Sequence, residues 1–328
     1  MKAVVYSAYG PPDGLHLTEV ATPTPADDEV LIKVQAVSVN RSDWEHLTGK
    51  PLYARFHGLR KPKRGSRILG SDIAGRVERV GRNHRQFHPG DEVFGEMWLY
   101  HDGFAEYVCT RGRDWARKPP NLTFEQAAAI PQAGVIALQG IRTHGQVQPG
   151  QHVLINGAGG GAGSFAVQLA KLDGAEVTGV DNTGKLDFMR SLGADHVIDY
   201  TREDFTKTGQ QYDLILDLVA YRSVSAYPRA LKPGGRYFMV GGSVATLLPI
   251  LLLGPGIRRA TGKHIRVLGV QRTQQDLLAI AELCAAGTIA PFIDRRYPLR
   301  EVPEALRYLG EGHAKGKVVI TVDEHNRT

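Results

Sequence analysis

Residues 156–165 read NGAGGGAGSF, and five of the seven positions from Gly157 to Gly163 are glycine. The apolar run VLIN (153–156) leads into them and SFAVQLAKL (164–172) leads out. The first has the make-up of a buried strand and the second has helical spacing, so the glycines form a tight turn between the two. Without Cβ atoms the turn lets a ligand reach the backbone. The helix start adds unpaired N–H groups and a dipole that favours an anion. Strand, glycine turn and helix together suit the pyrophosphate of a dinucleotide. Asp181 closes the next strand pattern, EVTGVD (176–181), at roughly the 20-residue distance expected of an acid that binds a ribose.

Working outward, further strand patterns are HVID (196–199), LILD (214–217), RYFMV (236–240) and IRVLGV (265–270). Helical stretches KLDFMRSL (185–192) and VSAYPRAL (224–231) lie between some of them. Six strands with crossover helices predict an α/β fold with a doubly wound parallel sheet. The part before Thr123 reads differently. Short runs such as KAVVY, EVLIKVQAVSV, DIAGRVERV and DEVFGE are punctuated by glycine and proline, which suits an antiparallel, barrel-like domain. After the helical DLLAIAELCAAG (276–287) come FIDRRYPL, PEALRYL and KGKVVITV. The last strand has no slot in a six-stranded sheet and is expected to return to the first domain.

The 328 residues suit two domains, and 42% hydrophobic with 23% charged content supports globular cores. No apolar run approaches the roughly 18 residues of a membrane span, and MKAVVY begins as a strand, so no integral membrane segment is expected. Cys109 and Cys284 give neither a disulfide framework nor a metal-binding pair and fit a cytoplasmic setting. Net charge is +6 and the pI is near 9.2. Part of the excess lies in RFHGLRKPKRGSR (55–67), read as a solvated basic loop, with an anionic substrate handle or a membrane-surface contact as the sharper alternatives. No aromatic stacking platform accompanies it, so no nucleic acid is expected as a partner. The apolar LLPILLL (247–253) is expected to be a buried loop or a dimer contact; a hydrophobic substrate wall or a membrane contact is the alternative.

As a set, MKAVVYSAYG, EVLIKVQAVSVN, LGSDIAGRVERVG, HPGDEVFG, QPGQHVLINGAGGGAGSFAVQLAK, LGADHVIDYTREDF, ALKPGGRYFMVGG and GKVVITV resemble the medium-chain dehydrogenase/reductase superfamily. Within it they resemble the zinc-independent quinone oxidoreductase and enoyl reductase branch, over nearly the whole chain. The resemblance implies a Rossmann NAD(P)-binding domain, residues 123–287, inserted in a GroES-like β-barrel catalytic domain, residues 1–122 completed by 288–328. It implies that Ala158, Gly160 and Gly163 occupy the fingerprint positions, with Gly161 and Ala162 among the cofactor contacts. Tyr200 then lies near the adenosine, and Val240, Gly241 and Gly242 run past the nicotinamide. It also implies a homodimer, with 236–270 the natural place for edge-to-edge pairing of sheets. Asp181 would accept the ribose hydroxyls of NADH and repel the 2′-phosphate of NADPH. Lys185, Arg202 and the pair Asn182–Thr183 could hold that phosphate. Both cofactors stay open, with NADPH slightly favoured.

Zinc-dependent relatives carry a cysteine ligand and a His-Glu pair where this chain has Asn40 and Ser71–Asp72. Two cysteines cannot build a four-cysteine zinc lobe, and His84 and His88 read as surface histidines, so no metal is expected. Hydride transfer without a Lewis acid is easiest to a carbon activated by conjugation. The expected substrate is a small hydrophobic electrophile, a quinone or an α,β-unsaturated carbonyl compound, whose enolate needs only hydrogen-bond donors and a proton. Asn40 and Asp43 form the branch's active-site Asn-x-x-Asp pattern, with a helix cap as the plain alternative. Tyr53 lies near a pocket tyrosine of some quinone reductases, or is an ordinary half-buried aromatic. Tyr100 and His101 are candidates for the substrate wall. Ile136 and Ala220–Tyr221 depart from the branch's usual Thr and Val-Gly and would reshape the nicotinamide pocket. The competing readings are an NAD(P)-dependent alcohol or carbonyl dehydrogenase and a nucleotide-binding redox sensor without turnover.

Overall fold

The computed structural model describes residues 1–52, 54–55, 67–97 and 101–322. The chain forms two compact units, Met1–Gln132 with Arg272–Thr328, and Ala133–Gln271. In the first unit the short β-prone runs become β1 (Lys2–Tyr6), β2 (His16–Glu19), β3 (Val30–Val39), β4 (Arg67–Ile68), β5 (Asp72–Val80), β6 (Glu92–Glu96), β7 (Tyr107–Thr110) and β8 (Ala116–Arg117). β1 pairs antiparallel with β2 and β4. β3, ten residues long and largely buried, is the spine of the larger sheet and pairs antiparallel with β5 and β7. The helices Phe124–Ala128 and Gln274–Ala285 belong to this unit as well.

The second unit holds β9 (His152–Asn156), β10 (Glu176–Asp181), β11 (His196–Asp199), β12 (Tyr212–Asp217), β13 (Leu231–Met239) and β14 (His264–Val267). All neighbours run parallel, in the order β11-β10-β9-β12-β13-β14. Val153, Leu154, Ile155 and Leu214, Ile215, Leu216 are buried in succession, as a parallel sheet covered on both faces demands. The chain starts at β9, winds outward to β11 and then crosses to β12, so the strand order reverses between β9 and β12. Ligands of such sheets bind beyond the carboxyl ends at that reversal, here next to the register partners Asn156 and Asp217. The helix Gly161–Leu172 covers β9 and β10 with Phe165, Ala166, Val167, Leu169 and Ala170. Burying Phe165 alone contributes about 2 to 3 kcal/mol.

β15 (Ile293–Pro298) and β16 (Lys317–Thr321) return to the first unit. β16 inserts between β15, to which it is parallel, and β3, to which it is antiparallel.

Two sequence expectations fail. The helix over 224–231 is only a single 3-10 turn, Tyr227–Ala230, because a longer helix would bury Pro228 in its interior against the carbonyl of Val224. The run LLPILLL is helix rather than loop, part of Val244–Thr261, despite Pro249 and Pro255 inside it. Ser243 caps that helix by accepting from the Thr246 N–H, and Gly262, at φ +71°, ends it. Among the described residues no helix is long and apolar enough to cross a membrane.

Candidate functional site

The turn after β9 depends on glycine for different reasons at different positions. Gly157 takes φ +85°, and its N–H and that of Ala158 donate to the Val180 carbonyl at 2.8 and 3.1 Å, tying the turn to β10. Gly163 sits so close to the strand that a Cβ would stand 2.2 Å from the Gly157 oxygen. A Cβ on Gly160 would meet only the Gly157 oxygen, at 3.3 Å, so the space ahead of the helix is open there. Gly161, Ala162 and Gly163 lead the helix, where backbone N–H groups have no intrahelical partner. A bare backbone, open space and unpartnered donors fit a pyrophosphate.

Asp181 does not stand free at the end of β10. Its Oδ2 accepts from the Gly159 N–H at 3.0 Å and its Oδ1 from the Asn182 N–H at 2.9 Å. Lys185 Nζ lies 3.6 Å from the same Oδ1, and both side chains are nearly buried. The acid that was expected to choose NADH is thus engaged in closing the turn, with its charge offset by a lysine. Asn182 Oδ1 accepts from the Gly184 N–H at 3.0 Å. Asp199, at the end of β11, accepts from the hydroxyls of Thr183 and Thr201, and these bonds, with Thr183 first, hold its carboxyl below the usual range. Tyr200 is half exposed beside it, and Arg202 reaches to within 3.6 Å of Asp199.

The loops after β12 and β13 meet through backbone. Val240 N–H donates to the Asp217 carbonyl and Ala220 N–H to the Gly241 carbonyl, each at 2.9 Å. Gly242, at φ +149°, approaches so closely that a Cβ would lie 2.3 Å from the Ala220 oxygen. Ala220 is therefore fully buried while Tyr221 is 68% exposed, and Ile136 is half-buried on the helix Pro131–Leu138. Beneath these loops Asp217 accepts from Asn156 Nδ2 (2.7 Å) and the Tyr237 hydroxyl (2.8 Å), and burial raises its carboxyl. A cavity of about 520 Å³, lined by His152, Glu176, His196 and Tyr212 among others, opens at the amino ends of the same strands. It lacks a glycine turn and lies at the wrong end of the sheet for a dinucleotide.

In the first unit Asn40 and Asp43 bracket the start of the helix Arg41–Thr48. Asp43 is fully buried and accepts from the Asn40 N–H at 2.7 Å and the Gly70 N–H at 3.0 Å, which pins the helix to the loop before β5. Burial pushes its carboxyl up to about 7 against the pull of those two donors. This is a positioning arrangement. The Asn40 side chain is held at both ends. Lys317 Nζ donates to Oδ1 at 2.6 Å, and Nδ2 donates to Ser71 Oγ at 3.3 Å. An ammonium can only donate, so Lys317 decides which way the amide faces. Lys317 opens β16, is 2% exposed, and stands 3.7 Å from the buried Asp72. Asp72 Oδ2 also accepts from the Gln132 N–H at 3.1 Å. The Gln132 side chain donates on to Glu96 at 3.0 Å, and Arg272 Nε donates to Glu96 at 2.8 Å. Burial depresses Lys317 and raises Asp72, each partly countered by the other's charge.

Sequence reasoning missed Lys317, Gln132, Glu96 and Arg272. The one local signal was a lysine opening the apolar strand KVVIT, where burial requires a partner. His101 sits edge-on to His46, with ring centroids 5.9 Å apart, and burial lowers it to about 4. Tyr53, Tyr100 and residues 56–66 of the basic stretch lie outside the described residues. At that stretch's ends Arg55 donates to the Gly49 carbonyl and Arg67 lies over the rings of Tyr6 and Tyr9. His84 accepts from the Phe87 N–H while His88 faces solvent. Among the described residues no three His, Cys, Asp or Glu side chains are arranged to hold a metal.

Residues 26–140 match the alcohol dehydrogenase GroES-like domain, and 192–320 match the family described as zinc-binding dehydrogenase. The chloroplastic quinone-oxidoreductase QR1 of Triphysaria versicolor is 30% identical over 335 residues, 98% of each chain. The chloroplastic NADPH-dependent alkenal/one oxidoreductase of Arabidopsis thaliana is 32% identical, over 98% of this chain and 79% of that one. This chain belongs to the medium-chain dehydrogenase/reductase superfamily, in its zinc-independent quinone oxidoreductase-like branch. The solved quinone oxidoreductase of Coxiella burnetii has the same fold, with a TM-score of 0.87 and 29% identity over 98% of this chain and 99% of that one. Zinc does not fit here in spite of one family's name. Where a zinc site needs about four N or S ligands, this member of the superfamily has an amide, a hydroxyl and a buried ammonium.

Proposed function

We propose that the protein reduces quinones or α,β-unsaturated carbonyl compounds, small hydrophobic electrophiles, and prefers NADPH to NADH. The observation that carries the reaction class is the Lys317–Asn40 contact of 2.6 Å. It replaces metal ligands with a fixed amide beside a buried positive charge. With no zinc ligands at that place, hydride transfer goes best to a carbon already activated by conjugation. Relatives named as quinone and alkenal/one reductases support the same reading.

The residues of the second unit fit the dinucleotide. Gly160–Gly163 would hold the pyrophosphate, Tyr200 would face the adenine, and Val240–Gly242 would run beside the nicotinamide. Lys185, with Asn182 and Arg202 near it, would meet the 2′-phosphate. The nicotinamide, when bound, supplies the hydride. The preference for NADPH rests on Asp181, whose oxygens are already occupied by the turn and by Lys185. A cytoplasmic setting completes the reading, since Cys109 and Cys284 are both free thiols.

The test is nicotinamide fluorescence titration with NADPH and NADH, then turnover with a benzoquinone, an alkenal and a primary alcohol. Tighter NADPH binding and turnover of the first two are expected. Alcohol oxidation by protein carrying stoichiometric zinc would overturn the reaction class. Binding without any turnover would leave a nucleotide-sensing protein.

A further inference from the structure

Three parallel strands of the second unit end on an aspartate: β10 on Asp181, β11 on Asp199 and β12 on Asp217. All three residues are buried. A buried charge is costly unless a partner offsets it. Asp181 has Lys185 and Asp199 has Arg202, each cation at 3.6 Å. Asp217 is the least exposed of the three, at 1%, and among the described residues no cation offsets it. Its partners are neutral. Asn156 Nδ2 and the Val219 N–H donate to Oδ1 at 2.7 and 3.2 Å, and the Tyr237 hydroxyl donates to Oδ2 at 2.8 Å. The first two groups can only donate, which suits a carboxylate. Burial raises this carboxyl, and the three bonds pull against that rise.

Stability does not account for an acid at this place. Asparagine has the same shape. Its oxygen could accept from Asn156 and Val219, and its amide could donate to the Tyr237 oxygen. A paired amide costs far less to bury than a carboxylate without a cation. The position supplies a different reason. Asp217 stands where the strand order reverses, level with Asn156 on one side and Met239 on the other. Its carbonyl accepts from the Val240 N–H at 2.9 Å, at the start of the Val240–Gly242 segment. Its carboxylate holds the Val219 N–H, and the next residue, Ala220, donates to the Gly241 carbonyl at 2.9 Å. The carboxylate is thus fixed beneath the two loops read above as the neighbours of the nicotinamide.

We propose that the Asp217 carboxylate favours the oxidised nicotinamide and thereby promotes hydride donation. It rests on the reading that places the nicotinamide beside Val240–Gly242. Hydride donation carries a proton with two electrons to a carbon of the electrophile, and a proton from the solvent completes the product. A positive charge is left on the nicotinamide ring. A negative charge already fixed beneath the ring stabilises that charge as it develops and needs no reorganisation. It acts far less on the neutral ring of NADPH. Asp181 and Asp199 are poorly placed for this, since their charges are offset by Lys185 and Arg202 on the adenosine side. Asp217 acts through its field and not by contact with a reacting atom.

The test measures binding of NADP+, NADPH and 2′,5′-ADP, which lacks the nicotinamide, to the parent, to Asp217→Asn and to Tyr237→Phe. Asp217→Asn should weaken NADP+ about tenfold relative to NADPH, the order expected of one charge at an effective dielectric constant of about 20. The potential of the bound couple then rises by about 30 mV. Binding of 2′,5′-ADP should be alike in all three proteins, which shows that the fold and the adenosine half are intact. Tyr237→Phe removes a hydrogen bond from the same carboxylate and keeps its charge, so the ratio of NADP+ to NADPH affinity should hold. Asp217→Ser, which also removes the charge, repeats the measurement if the asparagine variant does not fold. An unmoved ratio in the variants without the charge would overturn the proposal. So would an equal shift in Tyr237→Phe, because loop position and not charge would then be responsible. A parent that binds neither nucleotide would refute the cofactor reading and the proposal with it, whereas a parent that binds both, with the ratio unmoved by Asp217→Asn, would remove the proposal alone.

Discussion

Replacing Gly163 or Gly160 with alanine adds the same methyl group to the same turn, and the structure assigns the two changes opposite consequences. At Gly163 the new Cβ would lie 2.2 Å from the Gly157 oxygen and 2.6 Å from the Ala158 Cα, where real Cβ atoms stay beyond 3.0 Å. Both obstacles are backbone, so the turn must open by about 1 Å, at an overpacking cost of about 1 to 3 kcal/mol. Alanine's better helix propensity returns up to about 1 kcal/mol of that. A net loss of up to about 2 kcal/mol lowers the melting temperature of the second unit by up to roughly 7 °C. At Gly160 the backbone is extended, at φ −90° and ψ −176°, and the only contact is at 3.3 Å. The fold should tolerate that methyl group within about 1 kcal/mol, the cost of a poorer N-cap. It would instead fill the space ahead of the helix. NADPH affinity should then fall at least a hundredfold, as expected when about two charge-assisted hydrogen bonds of roughly 1.5 kcal/mol each are lost. Calorimetry of the apo proteins and fluorescence titration with NADPH read the two effects separately. A Gly160→Ala variant that binds NADPH within threefold of the parent would refute the placement of the pyrophosphate on this turn.

Three further outcomes follow from the same geometry. Lys185→Ala should weaken NADPH binding tenfold to a hundredfold, the worth of a charged hydrogen bond of about 1.5 to 3 kcal/mol, and leave NADH within threefold; equal losses would show that Lys185 supports the turn and not the 2′-phosphate. Lys317→Met leaves Asp72 buried without its cation, a loss of about 3 to 5 kcal/mol. Because the carboxyl of Asp72 is then raised further, the deficit should grow as pH rises from 5 to 8, and a pH-independent deficit in urea unfolding would sink the ion-pair account. His101 is depressed to about 4 by burial, with His46 and Arg67 adding to it. It stays neutral in the fold while the unfolded chain takes up a proton near pH 6.5, so its contribution is present above about 6.5 and is lost as pH falls toward 4. The parent-minus-His101→Gln difference in unfolding free energy should therefore decline across that window by up to about 3 kcal/mol, and a flat difference would contradict it.

What the sequence by itself determined is the kind of most elements, together with the expectation of a dinucleotide at the glycine turn. VLIN, EVTGVD, HVID and LILD announce strands because burial and turn residues act between near neighbours, and Gly163 is needed for its approach to Gly157, six residues before it. The parallel order of β9, β10 and β11, and of β13 and β14, then follows from the helices that join them. Where local rules competed, reading from neighbours failed. Pro249 and Pro255 disfavour a helix by local rule, and packing of Ile250 and Gly254 against β14 kept one. Asp181 was readable as a ribose ligand, but only the folded turn brings the Gly159 N–H and Lys185 onto its oxygens. Tertiary structure alone decided the cluster at Asn40. Lys317 is 277 residues away from Asn40, and Arg272 is 176 away from Glu96. A buried polar group must find a partner, but the chain does not carry that partner's address locally. It is set by which strands lie side by side, and here by β16 returning to pair with β3.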